Sequence, residues 1–475
     1  MTFQPSTLIP GQELLRGLAG RSSSQPASLL APPVLDRAAP PANDSIPAVA
    51  EPHALGDAMH HLYGGHEMAR SGLVLEDAEG IYLRDTRGNV YIDCASGTFD
   101  QPLGHKHPAL VAAIQQQAGS LAYAGSPFVS KPLVDLAERL IAISPGNLTR
   151  VHLRDLTGST AVEGAIKIAQ VATGKRDVIS LFASHHGQTA LATDVSGNSF
   201  RRERYPVHTA GIQQVPGPYC YRCFYRQSYP SCGLLCVDRI RDFIKHGTSG
   251  SVACILVEPV LGNGGNVVPP RDYFKGLRKL CDELGILLVF DEVQTGLGRL
   301  GYMFGAEYFD VQPHILVTAK GLGGPVSRAA ILVEEGLERM PRYQHSFTGG
   351  SSLISVATAI ATIDELRRPG FLAGVRQTGA YLGEKLHAIS TGVPFVGDVR
   401  GLGMMWGLEI VKPDGSPDPD LCNALIHAGL GFGLLLRGSQ YGFGNVVKVR
   451  PPLITSRVQV DEITLRLRLL MERFV

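Results

Sequence analysis

Asp291 and Lys320 each stand at the end of a short apolar run. Ile286 to Phe290 leads into Asp291, and Ile315 to Val317 runs out just before Lys320. Short aliphatic and β-branched runs bounded by turn residues predict strands buried on both faces. In an open α/β sheet, chemistry lies beyond the carboxyl ends of such strands. The two side chains are therefore expected to reach one crevice. Taken singly, each has a plainer reading: an Asp that opens a turn and a Lys on a loop.

A lysine amine and a carboxylate at one crevice suit pyridoxal phosphate. The amine holds the aldehyde as a Schiff base. The carboxylate keeps the pyridine nitrogen protonated, so the ring can act as an electron sink. The neighbouring residues strengthen the match. Asp291-Glu292-Val293-Gln294-Thr295-Gly296, followed by Ala319-Lys320-Gly321-Leu322-Gly323-Gly324, resembles the signature of class III aminotransferases, which are fold type I pyridoxal phosphate enzymes. The resemblance extends over about residues 60 to 475 and includes an alanine–glyoxylate and dialkylglycine decarboxylase-like flavour around Pro218-Tyr219-Cys220-Tyr221-Arg222.

That resemblance assigns roles along the chain. Lys320 carries the cofactor and moves the proton, and Asp291 faces the ring nitrogen. Gly158 and Ser159 hold the phosphate with Thr160 as a helper, and Thr348 reaches the phosphate of a neighbouring subunit. Val293 and His185 cover the two ring faces, Gln294 bonds the ring hydroxyl, and Glu258 opens the glycine loop beside the site. Several positions depart from the usual pattern. Thr160 stands where a Glu is common, His185 where an aromatic ring stacks, and Ser351-Ser352 where Asn-Pro follows the glycine pair. Lys448 occupies the position of an Arg that grips the substrate carboxylate, and Arg450 lies next to the prolines. Lysine lacks the planar fork of arginine. The substrate is then either an amine without that carboxylate or one held by Arg450.

The elements that must position these residues are legible in part. Val178–Phe182 and Cys254–Val257 join the two runs above as strands, and helices intervene, so the sheet is expected to be largely parallel. Leu133, Leu136, Ala137, Leu140 and Ile141 have helical spacing, as do Tyr273, Leu277, Leu280, Cys281 and Leu284. Thr160 and Glu163 have capping-box spacing and predict a helix start there. Such a start, with Gly and hydroxyl residues before it, can bind phosphate through free backbone N–H groups. Ile81-Tyr82-Leu83 and Val90-Tyr91-Ile92 flank a turn and predict a hairpin. Gly104-His105-Lys106-His107-Pro108 is expected to shape the turn into the next helix rather than to supply catalytic histidines.

Composition bounds the rest. The chain has 475 residues and a formal charge of +1 with both signs interspersed, which argues against nucleic acid and anionic membranes as partners. No apolar run reaches membrane-spanning length, and no signal-peptide core is evident at the start. Eight cysteines are expected to be reduced. Cys220, Cys223, Cys232 and Cys236 have the C-x2-C-x8-C-x3-C spacing of a four-thiolate zinc site, but a surface insertion with reduced thiols is the preferred reading; no metal ligand is assigned. Residues 1–55, rich in Pro, Ala and Ser, read as an arm or disordered leader.

The expectation is an α/β fold of type I. Residues 56–110 open a smaller α+β domain, 111–375 form the large cofactor domain, and 376–475 complete the smaller one. The resemblance implies a homodimeric aminotransferase with shared sites, acting on a small amino donor and a carbonyl acceptor, and without an evident signal peptide the cytoplasm is the expected location. A racemase, epimerase or decarboxylase on the same site is the alternative, and a non-catalytic scaffold is a further one.

Overall fold

The computed structural model describes residues 73–203, 209–341, 343–440 and 442–475. The leader expected over 1–55 lies outside them. The chain opens with β1 (Leu75–Glu79), β2 (Tyr82–Asp85) and β3 (Val90–Asp93). The central strands are β4 (Leu148–His152), β5 (Asp177–Leu181), β6 (Ile212–Val215), β7 (Val252–Val257), β8 (Leu287–Asp291), β9 (Ile315–Thr318) and β10 (Ala330–Glu334). β11 (Val396–Leu402), β12 (Met405–Ile410), β13 (Leu434–Leu435), β14 (Arg437–Gly438) and β15 (Val446–Val449) close the series.

The central sheet has the order β4-β10-β9-β8-β7-β5-β6. Its strands run parallel except β10, which is antiparallel to both β9 and β4. The four strands expected from apolar runs are all present, displaced by at most two residues. Their side chains alternate between two cores, as period-2 geometry requires. Ile255, Val257, Leu288 and Phe290 face one side, and Cys254, Leu256, Leu287 and Val289 face the other.

A helix lies in each of these cores. Tyr273–Leu284 buries Tyr273, Phe274, Leu277, Leu280 and Cys281. Phe274 meets Phe290 and Phe309 edge to face at 4.9 and 4.8 Å, and a fully buried Phe is worth about 1.5–3 kcal/mol. The helix stops at Gly285, whose φ of 60° suits the left-handed end cap. On the other face, Gly158–Thr173 buries Ala161, Val162, Ala165, Ile166, Ile168 and Ala169. This helix starts earlier than the capping-box spacing predicts. Thr157 is the cap, accepting from the Thr160 N–H at 3.3 Å, while Glu163 accepts instead from the Thr189 hydroxyl at 2.6 Å.

Two four-stranded sheets flank the central one. β13 pairs in parallel with β3, joining residues near 434 to the opening hairpin. The order of the other is β11-β12-β15-β14. The smaller α+β part is thus built from both ends of the described chain. His107 precedes the helix Pro108–Ala118, which has Pro at its start, so this motif does shape a helix entry. His105 is spent on Asp93, with Nε2 2.9 Å from Oδ2.

Candidate active site

The carboxyl ends of β8 and β9 deliver Asp291 and Lys320 to one cavity of about 250 Å³. Gly158, Ser159, His185, Val293, Thr98 and Asp100 line it too. Lys320 has a φ of 43°, an uncommon backbone state for a side-chain-bearing residue and one typical of functional sites. Its amine is brought down to about 8, because burial disfavours the charged form more than Asp291 and Glu258 favour it. A lysine tuned this way holds a usable fraction of neutral, nucleophilic amine near neutral pH.

Asp291 is held from two sides. His186 Nδ1 lies 2.8 Å from Oδ2, and the Val293 N–H donates to Oδ1 at 3.1 Å. Asp291 and His186 are both buried. Since the carboxylate accepts, His186 carries its proton on Nδ1. The sequence reading missed His186: the residue is visible in the sequence, but its pairing with a strand end 105 residues away is not. His185 points its backbone N–H at Glu258 Oε1, 2.7 Å away. Burial and then the Lys320 charge lower its imidazole to about 2, so the ring is neutral. Glu258 also accepts from Gly262 N–H at 3.1 Å, and burial raises its carboxyl to about 7.

The phosphate-side expectations divide. Gly158 and Ser159 stand at the start of the helix Gly158–Thr173 and face the cavity. A Cβ on Gly158 would come within 2.9 Å of Val293 Cγ1, so glycine keeps this wall open. The Thr160 hydroxyl turns away and donates to the Thr157 carbonyl at 3.0 Å. Thr348 is exposed and is absent from the lining of this chain's cavity. Gln294 is buried, and its Oε1 has no hydrogen-bond partner among the described residues.

Lys448 and Arg450 are buried on β15 and just beyond it. Lys448 Nζ has Asn263 Oδ1 at 3.4 Å. Arg450 Nε and Nη1 have no acceptor among the described residues, and its guanidinium lies 3.4 Å from the Phe99 ring centre. Burial and then Arg299 push Arg450 well below the usual arginine value. Lys320 and Arg299 each lie 5.8 Å from the centre of the same ring. Phe99 and Ser96 have φ of 70° and 48°, and Arg299 fastens this strained loop by donating to Ser96 Oγ at 3.1 Å.

Pyridoxal phosphate fits these groups. A nucleophilic amine, a fixed carboxylate and a helix start for the phosphate surround one cavity, and the unsatisfied amide oxygen of Gln294 lies three residues beyond Asp291. Among the described residues, no three metal-ligating side chains gather around one point. Cys220, Cys223, Cys232 and Cys236 instead line a separate pocket with their thiols unpaired.

The family description "Aminotransferase class-III" matches residues 63–471. A leucine/methionine racemase from Thermococcus litoralis is 33% identical over 82% of this chain and 88% of its own length. An acetylornithine aminotransferase from Methanothermobacter thermautotrophicus is 33% identical over 82% of this chain and 92% of its own length. Among solved structures, an amine transaminase from an uncultivated Pseudomonas species, with pyridoxal phosphate bound, superposes with a TM-score of 0.80. It is 30% identical and covers 84% of this chain and 95% of its own.

Proposed function

The chain belongs to the class III aminotransferases, pyridoxal phosphate enzymes, and we propose that it moves the amino group of an α-amino acid to a keto acid or aldehyde, with Lys320 as the cofactor lysine. The observation that carries this reading is the meeting of Asp291 and Lys320, from different strands, in one cavity that also holds the start of the helix Gly158–Thr173. The preference for an amino acid over a simple amine rests on Arg450. A buried guanidinium with two unused N–H groups matches a carboxylate.

Pyridoxal phosphate supplies an electron sink for the pair left when a bond at the amino carbon breaks. Asp291, fixed by His186 and Val293, would hold the proton on the ring nitrogen. Gly158 and Ser159 would take the phosphate, Val293 and His185 the ring faces, and Gln294 the ring hydroxyl. Lys320 would hold the cofactor through its amine and, once that amine is free, would move the proton at the donor's α-carbon. Arg450 orients the donor by its carboxylate, with Lys448 beside it.

A second reading, amino-acid racemisation, is favoured by the racemase relatives. There Lys320 would take the proton from the same carbon, which regains one on the opposite face. Thr348, exposed in this chain, supports a homodimer in which it serves the partner's site, and eight unpaired cysteines suit a reducing, cytoplasmic setting. The proposed division is a large domain over 111–375 and a small one from 56–110 and 376–475, of which residues 56–72 lie outside those described.

Borohydride reduction of the cofactor-loaded protein, followed by peptide mass spectrometry, tests the assignment. The cofactor mass is expected on Lys320 alone. Its appearance on another lysine, or on none, would overturn the reading.

A further inference from the structure

The cysteine-bearing segment meets a buried charge cluster that leads toward the active site. Its single helical turn, Cys220–Arg222, is flanked by Tyr219. The Tyr219 hydroxyl donates to Glu409 Oε2, and Arg222 Nε donates to Glu409 Oε1. Glu409 is fully buried on β12. Arg400, on β11, donates to Glu409 Oε2 at 2.6 Å, to Asp398 at 2.7 Å and to the Tyr219 oxygen at 3.0 Å. Its Nε donates to the Gly265 carbonyl at 3.0 Å. Two guanidinium groups and two carboxylates thus balance in charge, and the spare donor of Arg400 is spent on the glycine loop.

That loop meets the buried side chains of Glu258 and Lys448. Gly262 hangs on Glu258, Asn266 donates to the Trp406 carbonyl at 2.7 Å, and Asn263 presents its oxygen to Lys448. The loop has little slack. A Cβ on Gly265 would lie 3.0 Å from Arg400 Nη2, and one on Gly262 would lie 2.1 Å from Gln294 Oε1.

We propose that Arg222 and Tyr219 are positioning residues for the substrate carboxylate: through Glu409 and Arg400 they fix the glycine loop, and through Asn263 they fix Lys448. Neither touches the cavity that holds Lys320. The insertion therefore sets substrate affinity from outside the site. Without Arg222, Glu409 keeps Arg400 and Tyr219 but loses one of the two bonds that tie this segment to β12. Arg400 is then free to turn toward the unbalanced carboxylate and release Gly265.

This inference rests on the proposed use of Lys320 and Lys448, and a double-mutant cycle separates the two. Arg222→Gln is expected to raise KM for an amino-acid donor about tenfold, the scale of coupling within one network, with kcat within about twofold and the bound-cofactor spectrum unchanged. In a Lys448→Met background the same substitution should change KM by less than about twofold, because the contact it acts through is gone. Arg222→Lys should recover most of the loss. Tyr219→Phe, which keeps the packing, should show a smaller rise of the same kind and guards against a misfolded Arg222→Gln. An equal KM rise in both backgrounds, or an unchanged KM in Arg222→Gln and Tyr219→Phe, would overturn the proposal. Failure of the Lys320 reading would show differently, as a wild-type protein without covalently bound cofactor.

Discussion

Replacing Arg450 by Met should weaken donor binding and leave the empty protein no less stable, two effects of opposite sign from one residue. The guanidinium is buried, stacked on Phe99, and has two nitrogens without acceptors among the described residues. If those nitrogens meet the donor carboxylate, truncation removes one partner of a buried, hydrogen-bonded charge pair. Such losses run to about 2–5 kcal/mol, or about 30-fold to several-thousand-fold in dissociation constant. In the empty protein the same guanidinium is a poorly compensated cation beside Arg299 and Arg437, with Asp93 acting weakly in its favour. Exchange of poorly compensated buried charge for apolar volume is neutral or stabilising by about 1–4 kcal/mol. Loss of stacking on Phe99 removes about 0.5–2 kcal/mol of that gain. The net expectation is a stability change between zero and a few kcal/mol favourable. The assays are stopped-flow titration of the donor half-reaction and denaturant unfolding of the cofactor-free protein. Unchanged donor affinity would refute the carboxylate role, and a loss of several kcal/mol in stability would refute the reading of Arg450 as unpaired.

Capture of pyridoxal phosphate by the cofactor-free protein should depend on pH through Lys320. Only the neutral amine attacks, so the rate should rise about tenfold per pH unit below about 8 and level off above it; a flat profile from pH 6 to 9 would contradict the assignment. His186→Phe removes a buried charge-assisted bond to Asp291, worth about 1.5–3 kcal/mol. It should slow the half-reaction by about 10- to 150-fold, with donor affinity nearly unchanged in the same stopped-flow titration. Gly158→Ala drives a Cβ against Val293 and should weaken cofactor affinity by about 1–3 kcal/mol, the usual cost of overpacking, measured by equilibrium dialysis. Gly374→Ala, where a Cβ meets nothing, is the matched control and should bind as wild type.

The strands around the site were readable because they are buried on both faces, and their apolar runs stop where the polar chemistry starts. The reversal of β10 was not, since Ala330–Glu334 is as apolar as its parallel neighbours and direction leaves no mark on composition. The pairing of β13 with β3 is equally silent: two residues near 434 carry too little pattern to name a partner near 92. The same limit applies within the site. Asp291 and Lys320 declare themselves by type and local setting. His186 gains its role only when β5 and β8 bring position 186 beside 291. Thr160 shows the converse error. Its spacing to Glu163 fits a capping box, but Thr157 one turn earlier offers its side chain to the same N–H, and the Thr160 hydroxyl is then committed to the cap.

The central claim is that Lys320, opposite Asp291, carries a cofactor that accepts the donor's amino group. The most direct test is the absorbance of the loaded protein during addition of single amino acids without a carbonyl acceptor. A visible band that is lost with one equivalent of keto acid formed per site is the expected result. A loaded protein whose band survives every donor, while the amino acid's α-hydrogen exchanges with solvent, would contradict amino transfer and favour racemisation. A protein that shows no such band with excess pyridoxal phosphate would contradict the role of Lys320 itself.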